Sequence, residues 1–402
     1  MVAAYALVLG LVPLPALKAE LAPEFRTATE YLGSDAAVVA AVDGTETVAG
    51  AAWIHNGEIA PHGQWANSVS EVPIASITKV VTVLATLEAS PGRADVESGG
   101  PGRRYTVTER DIEILDDVLA QNGIHEDAPV GTELTERQLI ELTLLPSANN
   151  FAIAYAEWVF GSNAEFVAAA RQWLDRHGLT HTKIVEPSGL DKHNVSTVPE
   201  LLRLAAIAMQ NPAVAEVAAM QRADIPGIGE IENTNALLKS GDAIGLKTGA
   251  LDANTFNLLA VETYGRGSRE FTIAAAVLGS KDRPSRNALT RELLAAMKTA
   301  SAAVEVLPAR SSVGAVHTWD GARVPLVTDN DEPVNRVLLP GEKATVTATV
   351  SPLRAAASGE RVGEVAVVSP TGRGVVAVRA AAEITDPGFW WRVTNPGKVL
   401  NW

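Results

Sequence analysis

"IASITKVV" (74–81) sets a serine and a lysine three residues apart among Ile74, Ala75, Ile77, Val80 and Val81, an apolar run continued by Val83 and Leu84. The run reads as a buried helix from about Ser76 to Ala89, ended by Ser90, Pro91 and Gly92. A lysine there is costly unless paired or neutral. Residues three apart on a helix are neighbours, with Cβ atoms roughly 5–6 Å apart, so the Ser76 hydroxyl can reach the Lys79 amine. A serine hydroxyl is a weak nucleophile until a base stands beside it. An amine becomes that base once desolvation or a second cation lowers its pKa.

Around this run the 402-residue chain has the length for two or three domains. Its 47% hydrophobic and 20% charged residues suit a globular protein with a substantial core. A formal net charge of −14 and no basic stripe argue against nucleic-acid partners. The absence of cysteine excludes disulfides, thiolate metal sites and cysteine nucleophiles. Residues 2–17, "VAAYALVLGLVPLPAL", are apolar and uncharged but broken by Pro13 and Pro15. They read as an export or anchor segment whose upstream part is missing, or alternatively as a hydrophobic arm packed on the fold.

Residues 36–53, "AAVVAAVDGTETVAGAAW", read as two short strands about Asp43 and Gly44, and 91–104 as a polar, glycine-rich loop. Helices follow. Thr135 and Gln138 form a capping box, Asn163 is the candidate N-cap of a helix stopped by Gly178, and Thr197 with Glu200 forms a second box. Phe166, Ala170, Trp173 and Leu174 mark the buried side of the middle helix. Strand character returns at 243–249, 256–264 and 271–279, then a helix over 285–300. Strands, helices, then strands again describe an α/β sheet with an inserted helical part. From about Val304, four short alternating segments ("ARVPLVT", "KATVTATV", "VGEVAVVS", "GVVAVRAAAEI") suggest a small all-β domain. The expected boundaries are 1–22, 23–302, 303–386 and a Trp/Pro-rich tail, 387–402.

Alone, S-x-x-K is expected by chance about once or twice in such a chain. Two further motifs add weight. Ser147-Ala148-Asn149 follows Pro146 just past an apolar helix, and Lys247-Thr248-Gly249 ends a strand-like run. A second S-x-N, Ser285-Arg286-Asn287, reads as a helix start. Ordered S-x-x-K, S-x-N and K-T-G is the signature of penicillin-binding proteins and class A β-lactamases. With "PIASITK" (73–79), "SAN" (147–149), "EPSGLD" (186–191), "ENTNALL" (232–238), "GLKTG" (245–249) and "AAAVLGS" (274–280), residues from about Ala36 to Thr299 resemble the low-molecular-mass D-alanyl-D-alanine carboxypeptidases. The all-β segment resembles that family's second domain by layout only.

That resemblance implies the penicillin-binding, transpeptidase-like fold and a role for each motif residue. Ser76 attacks the carbonyl between two D-alanines, forming an acyl-enzyme that water resolves. Lys79 takes the serine proton, Ser147 relays one to the leaving amine, and Asn149 holds the substrate amide and Lys79. Lys247 and Thr248 meet the terminal carboxylate, with Lys247 the second cation that depresses Lys79. Gly249 lets substrate lie along the strand, and the N–H groups of Ser76 and Ala250 form the oxyanion hole. The implied partners are peptidoglycan stem peptides and, as inhibitors, β-lactams. The implied location is extracytoplasmic, with membrane contact through the N-terminal segment or the C-terminal Trp cluster. No metal or cofactor is called for.

Two departures from the family pattern stand out. After K-T-G the chain reads "ALDANTFN" where an aromatic or histidine and a Thr-rich stretch are usual, and Glu186 replaces the usual Asp or Asn. Rival readings fare worse. No E-x-x-L-N box for a deacylating glutamate lies in 150–246, against a class A β-lactamase. His177 and His181 are separated by Gly178, against a zinc pair on one helix. No G-x-S-x-G is present. An endopeptidase or transpeptidase using the same residues, or a non-catalytic wall-binding relative, stays open. Phe389, Trp390 and Trp391 suit either a membrane interface or docking on the protein.

Overall fold

A computed structural model of the chain describes residues 2–252, 255–266, 269–301 and 303–400. It divides into two compact units, Asp35–Ala300 and a second built from Met1–Ser34 with Ser301–Trp402.

In the first unit the elements that carry the site are α1 (Ala36–Asp43), β1 (Val48–His55), β2 (Glu58–Ala66), α2 (Thr78–Ala89), α3 (Glu109–Ala120), α4 (Glu136–Leu144), α5 (Asn149–Phe160), α6 (Asn163–Arg176), α7 (Val198–Gln210), β3 (Gly245–Ala250), β4 (Phe256–Arg266), β5 (Arg269–Ser280) and α8 (Arg283–Ala300). The sheet order is β3-β4-β5-β1-β2, every pair antiparallel. The chain makes β1 and β2, builds the helical insertion, and returns for β3 to β5. β3 is left at one edge.

α2 is the centre of the insertion. Every residue from Thr78 to Leu87 is buried, and the helix packs on α4, α5 and α6. A helix apolar on all sides has nowhere else to go. Thr135 and Gln138 cap α4 reciprocally, as expected, with Gln138 N donating to Thr135 Oγ1 at 3.2 Å. Thr197 caps α7, but Glu200 does not complete the second box: its carboxylate takes Thr182 Oγ1 at 2.6 Å and His181 N at 2.8 Å. The N-cap of α6 is Ser162 rather than Asn163, while Phe166, Ala170, Trp173 and Leu174 are buried as read.

Three further expectations are corrected. Residues 36–43 form a helix, not a strand. Alanine is the strongest helix former, Val38 and Val42 fall one turn apart on the buried side, and only 48–55 is a strand. The 91–104 loop contains a short helix, Arg93–Glu97, and ends in a strand, Arg104–Thr106. The first 34 residues are not a separate segment joined to the peptidase-like part. Ala19–Leu21 pairs with Ser312–His317 and Thr29–Leu32 with Lys343–Val350, forming the two edges of a seven-stranded antiparallel sheet. Its other strands are 323–328, 361–369 and 372–380, so the expected β segments are all present. Leu9, Leu14 and Leu17 join Trp319, Val365 and Val367 in its core. The tail also docks there. Arg392 donates to Val12 O at 2.7 Å, the Phe389 ring lies against Gly10, and Trp391 is half-buried.

Candidate active site

The chain enters the site through a 3₁₀ turn, Ala75–Ile77, with Ala75 at φ +50°, and runs straight into α2. Ser76 sits in that turn and Lys79 one turn on, with no exposed surface. Lys79 Nζ lies 2.9 Å from Ser76 Oγ, 2.5 Å from Asn149 Oδ1 and 2.6 Å from the Ser188 carbonyl. Two of these neighbours are pure acceptors. A neutral amine has two N–H bonds and one lone pair. If the hydrogens go to Asn149 and Ser188, the lone pair is left for the Ser76 hydroxyl. Burial pulls the Lys79 pKa from 10.5 down to about 7, against an opposing pull from the Glu186 carboxylate. The lysine that looked misplaced in an apolar helix is thus held near neutrality beside the hydroxyl.

The Ser188 carbonyl is presented by a loop organised around Glu186. Its carboxylate accepts from Ser188 N (2.7 Å), Ser188 Oγ (2.6 Å), Gly189 N (2.6 Å) and Asn194 Nδ2 (2.7 Å). Thr82 of α2 donates to Pro187 O at 2.7 Å, and Ile74 N to Asn194 O at 3.0 Å, so the loop is tied to the Ser76 turn from both sides. Gly189 is obligatory here. It has φ +85°, and a Cβ would lie 2.2 Å from Ala75 O.

The second motif turns at Ser147, φ +71°, just before α5. Ser147 Oγ is buried and has no hydrogen-bond partner among the described residues. Asn149 N is held by Ile124 O at 2.7 Å. The third motif lies on the edge strand β3. Lys247 is buried, its Nζ donating to Thr248 O at 3.2 Å, and its pKa is held well below 10.5 by burial, by Lys79 and by Arg286. A Cβ on Gly249 would sit 2.9 Å from Ile74 O and 3.3 Å from Ser76 N, so this strand runs directly beside the Ser76 turn. Ala250 follows, exposed. Of the departing stretch "ALDANTFN", Ala253 and Asn254 lie outside the described residues.

Lys79 and its bonds join Ser76 to Asn149, and Gly249 brings β3 alongside. Four participants were not named by sequence reasoning: Glu186 as loop anchor, the Ser188 carbonyl, Thr234 and Arg286. Thr234 Oγ1 is 2.6 Å from Thr248 Oγ1. Arg286 lies inside the second S-x-N, which is a helix start as read, Ser285 N donating to Asp282 Oδ1 at 2.6 Å. Yet Arg286 itself is buried, donating to Asn257 O at 3.3 Å, its pKa lowered by burial and by Arg283 to about 10. Three buried basic side chains, Lys79, Lys247 and Arg286, therefore share one region, where the Glu186 carboxylate opposes the lowering of the Lys79 pKa. Such a region favours an anion. His177 lies instead against the Trp173 ring (4.2 Å between centroids) and His181 beside Glu71 (3.4 Å).

A sequence model described as D-alanyl-D-alanine carboxypeptidase matches residues 65–282. A D-alanyl-D-alanine endopeptidase of Pseudomonas aeruginosa is 29% identical over 145 residues, 36% of this chain and 42% of that protein. A D-alanyl-D-alanine carboxypeptidase of Salmonella typhimurium is 28% identical over 207 residues, 50% of this chain and 52% of that protein. The chain thus spans about half the length of these curated relatives. Penicillin binding protein 5 from Haemophilus influenzae superposes with a TM-score of 0.55 at 18% identity, covering 84% of this chain and 97% of that one, a likeness of fold.

Proposed function

The chain belongs to the D-alanyl-D-alanine carboxypeptidase family, and on that premise we propose that it is a serine peptidase removing the terminal D-alanine from peptidoglycan stem peptides. The observation that carries this reading is the buried Lys79 amine, near-neutral and 2.9 Å from Ser76 Oγ. In the first step Ser76 Oγ bonds to the penultimate D-alanine carbonyl while its proton passes to Lys79. The oxyanion is met by the N–H groups of Ser76 and Ala250. Ser147 relays the proton from Lys79 to the departing D-alanine amine as the C–N bond breaks. Water then attacks the ester, freeing the shortened peptide and restoring the Ser76 hydroxyl. Asn149 orients the amine and the substrate amide. Lys247, Thr248 and Arg286 attract the terminal carboxylate, and β3 offers its free edge for the peptide backbone to lie along.

Penicillins, which carry both an acylating carbonyl and a carboxylate, are expected to trap Ser76 as a stable ester. Incubation with a fluorescent penicillin should label the parent and not Ser76→Ala, and the parent should release D-alanine from a D-Ala-D-Ala peptide. No covalent adduct on a folded parent overturns the proposal. A second reading, cleavage of D-Ala cross-links with the same residues, is favoured by the endopeptidase name of the Pseudomonas aeruginosa relative. Release of monomers from cross-linked muropeptides without D-alanine release would establish it instead.

We place this activity outside the cytoplasmic membrane, where that substrate lies. No helix among the described residues is long and apolar enough to cross a membrane. Contact with a membrane surface is proposed through Leu7, Val8, Leu11 and Trp390, which stand exposed on two helices that pack together.

A further inference from the structure

We propose that Thr234 is a positioning residue that sets the direction of the Thr248 hydroxyl and so makes the site demand a free carboxylate on its ligand. The inference rests on the peptidase reading above and goes beyond it, because no motif considered so far gives Thr234 a role.

Thr234 belongs to a turn with little freedom. On one side Asn233 Nδ2 donates to Ala218 O at 3.3 Å and Met220 O at 3.0 Å. On the other, Asn235 Nδ2 donates to Gly245 O, the first residue of β3, at 3.0 Å. Thr234 N donates to Leu145 O at 3.1 Å, two residues before Ser147. Its side chain then reaches Thr248, with the two hydroxyl oxygens 2.6 Å apart. One residue therefore clasps the segment leading into the second motif to the strand carrying the third.

The hydroxyl count gives the clasp a chemical consequence. Each hydroxyl has one hydrogen. Only one of the two hydrogens can lie between Thr234 and Thr248. If Thr248 donates to Thr234, it has nothing left to give a ligand. If Thr234 donates, the Thr248 hydrogen is free. A carboxylate held by Lys247 selects the second arrangement, giving a chain from Thr234 to Thr248 to the anion, each bond strengthening the next. A ligand with an ester in place of the carboxylate is a weaker acceptor and gains less from the same chain.

The test compares acylation by a penicillin and by its methyl ester, followed by mass spectrometry, in the parent, Thr234→Val and Thr234→Ser. Valine keeps the shape of threonine and removes the hydroxyl. Thr234→Val should lose about tenfold in second-order acylation by the free acid, the scale of one lost hydroxyl–hydroxyl hydrogen bond, and less than about twofold by the ester. The loss should appear in the half-saturating concentration, with the limiting rate little changed. Thr234→Ser should recover most of it. An equal loss for both compounds would leave Thr234 a structural clasp and overturn the inference, as would no loss for either. A folded parent acylated by neither compound would defeat the peptidase reading itself, and this inference with it.

Discussion

The ionisation of Lys79 governs both reaction and stability, and the two can be measured separately. With a pKa of about 7, about one tenth of the amine is neutral at pH 6 and about nine tenths at pH 8. Acylation by a penicillin should therefore rise roughly tenfold between these values, with a midpoint near 7. The drop from 10.5 to about 7 corresponds to about 5 kcal/mol, at about 1.4 kcal/mol per pH unit. Between pH 7 and 10.5 the unfolded lysine is protonated and the folded one is not. Unfolding then takes up a proton, so raising the pH over this window favours the folded state. Below pH 7 the penalty is complete; above 10.5 it is gone. Lys79→Met removes this dependence. It leaves Asn149 Oδ1 and the Ser188 carbonyl without a donor, a cost independent of pH. The variant's stability minus the parent's, from urea unfolding, should thus fall by about 2 kcal/mol from pH 7 to pH 9. A flat difference, or acylation unchanged from pH 6 to 8, would refute a near-neutral buried amine.

Two further perturbations probe the loop behind Lys79. Glu186→Gln removes the charge that holds the Lys79 pKa up, so the acid limb of acylation should move below pH 7; a limb that stays or moves up contradicts the assignment. Gly189→Ala puts a Cβ 2.2 Å from Ala75 O at φ +85° and should cost about 2 kcal/mol or more in unfolding while slowing penicillin labelling. Gly99→Ala, at φ +89° but in open space, is the control, and its cost should stay near about 1 kcal/mol; equal losses would mean that the clash is not what matters.

How much of this could be read beforehand follows from distance along the chain. Ser76 and Lys79 are one helical turn apart, and the apolar run around them announces burial, so the pair was visible in eight residues. The other two motifs were visible as short words in the right order. Their assembly was not, because it runs through a backbone carbonyl, that of Ser188, which no residue type advertises. Glu186 looked like a minor replacement and proves to be an acceptor for Ser188, Gly189 and Asn194. Arg286 was masked by an accurate local reading: a helix start accounts for Ser285 but says nothing about where the next side chain goes. The strand expected over 36–42 failed because a short run of alanine and valine suits both periods, and packing decided it. The edges of the seven-stranded sheet escaped notice for the opposite reason, since Leu21 meets Gly314 with the whole first unit between them in sequence.

That last pairing bears on how the chain is made. A ribosome delivers Ala19–Leu21 and Thr29–Leu32 long before their partner strands exist, and at about 5–20 residues per second they wait roughly 15–60 s. Meanwhile the residues from Asp35 to Ala300 can collapse by themselves. These segments are thus sheltered only once their partner strands have been made, and until then Leu9, Leu14 and Leu17 stay available to any chaperone or translocation channel.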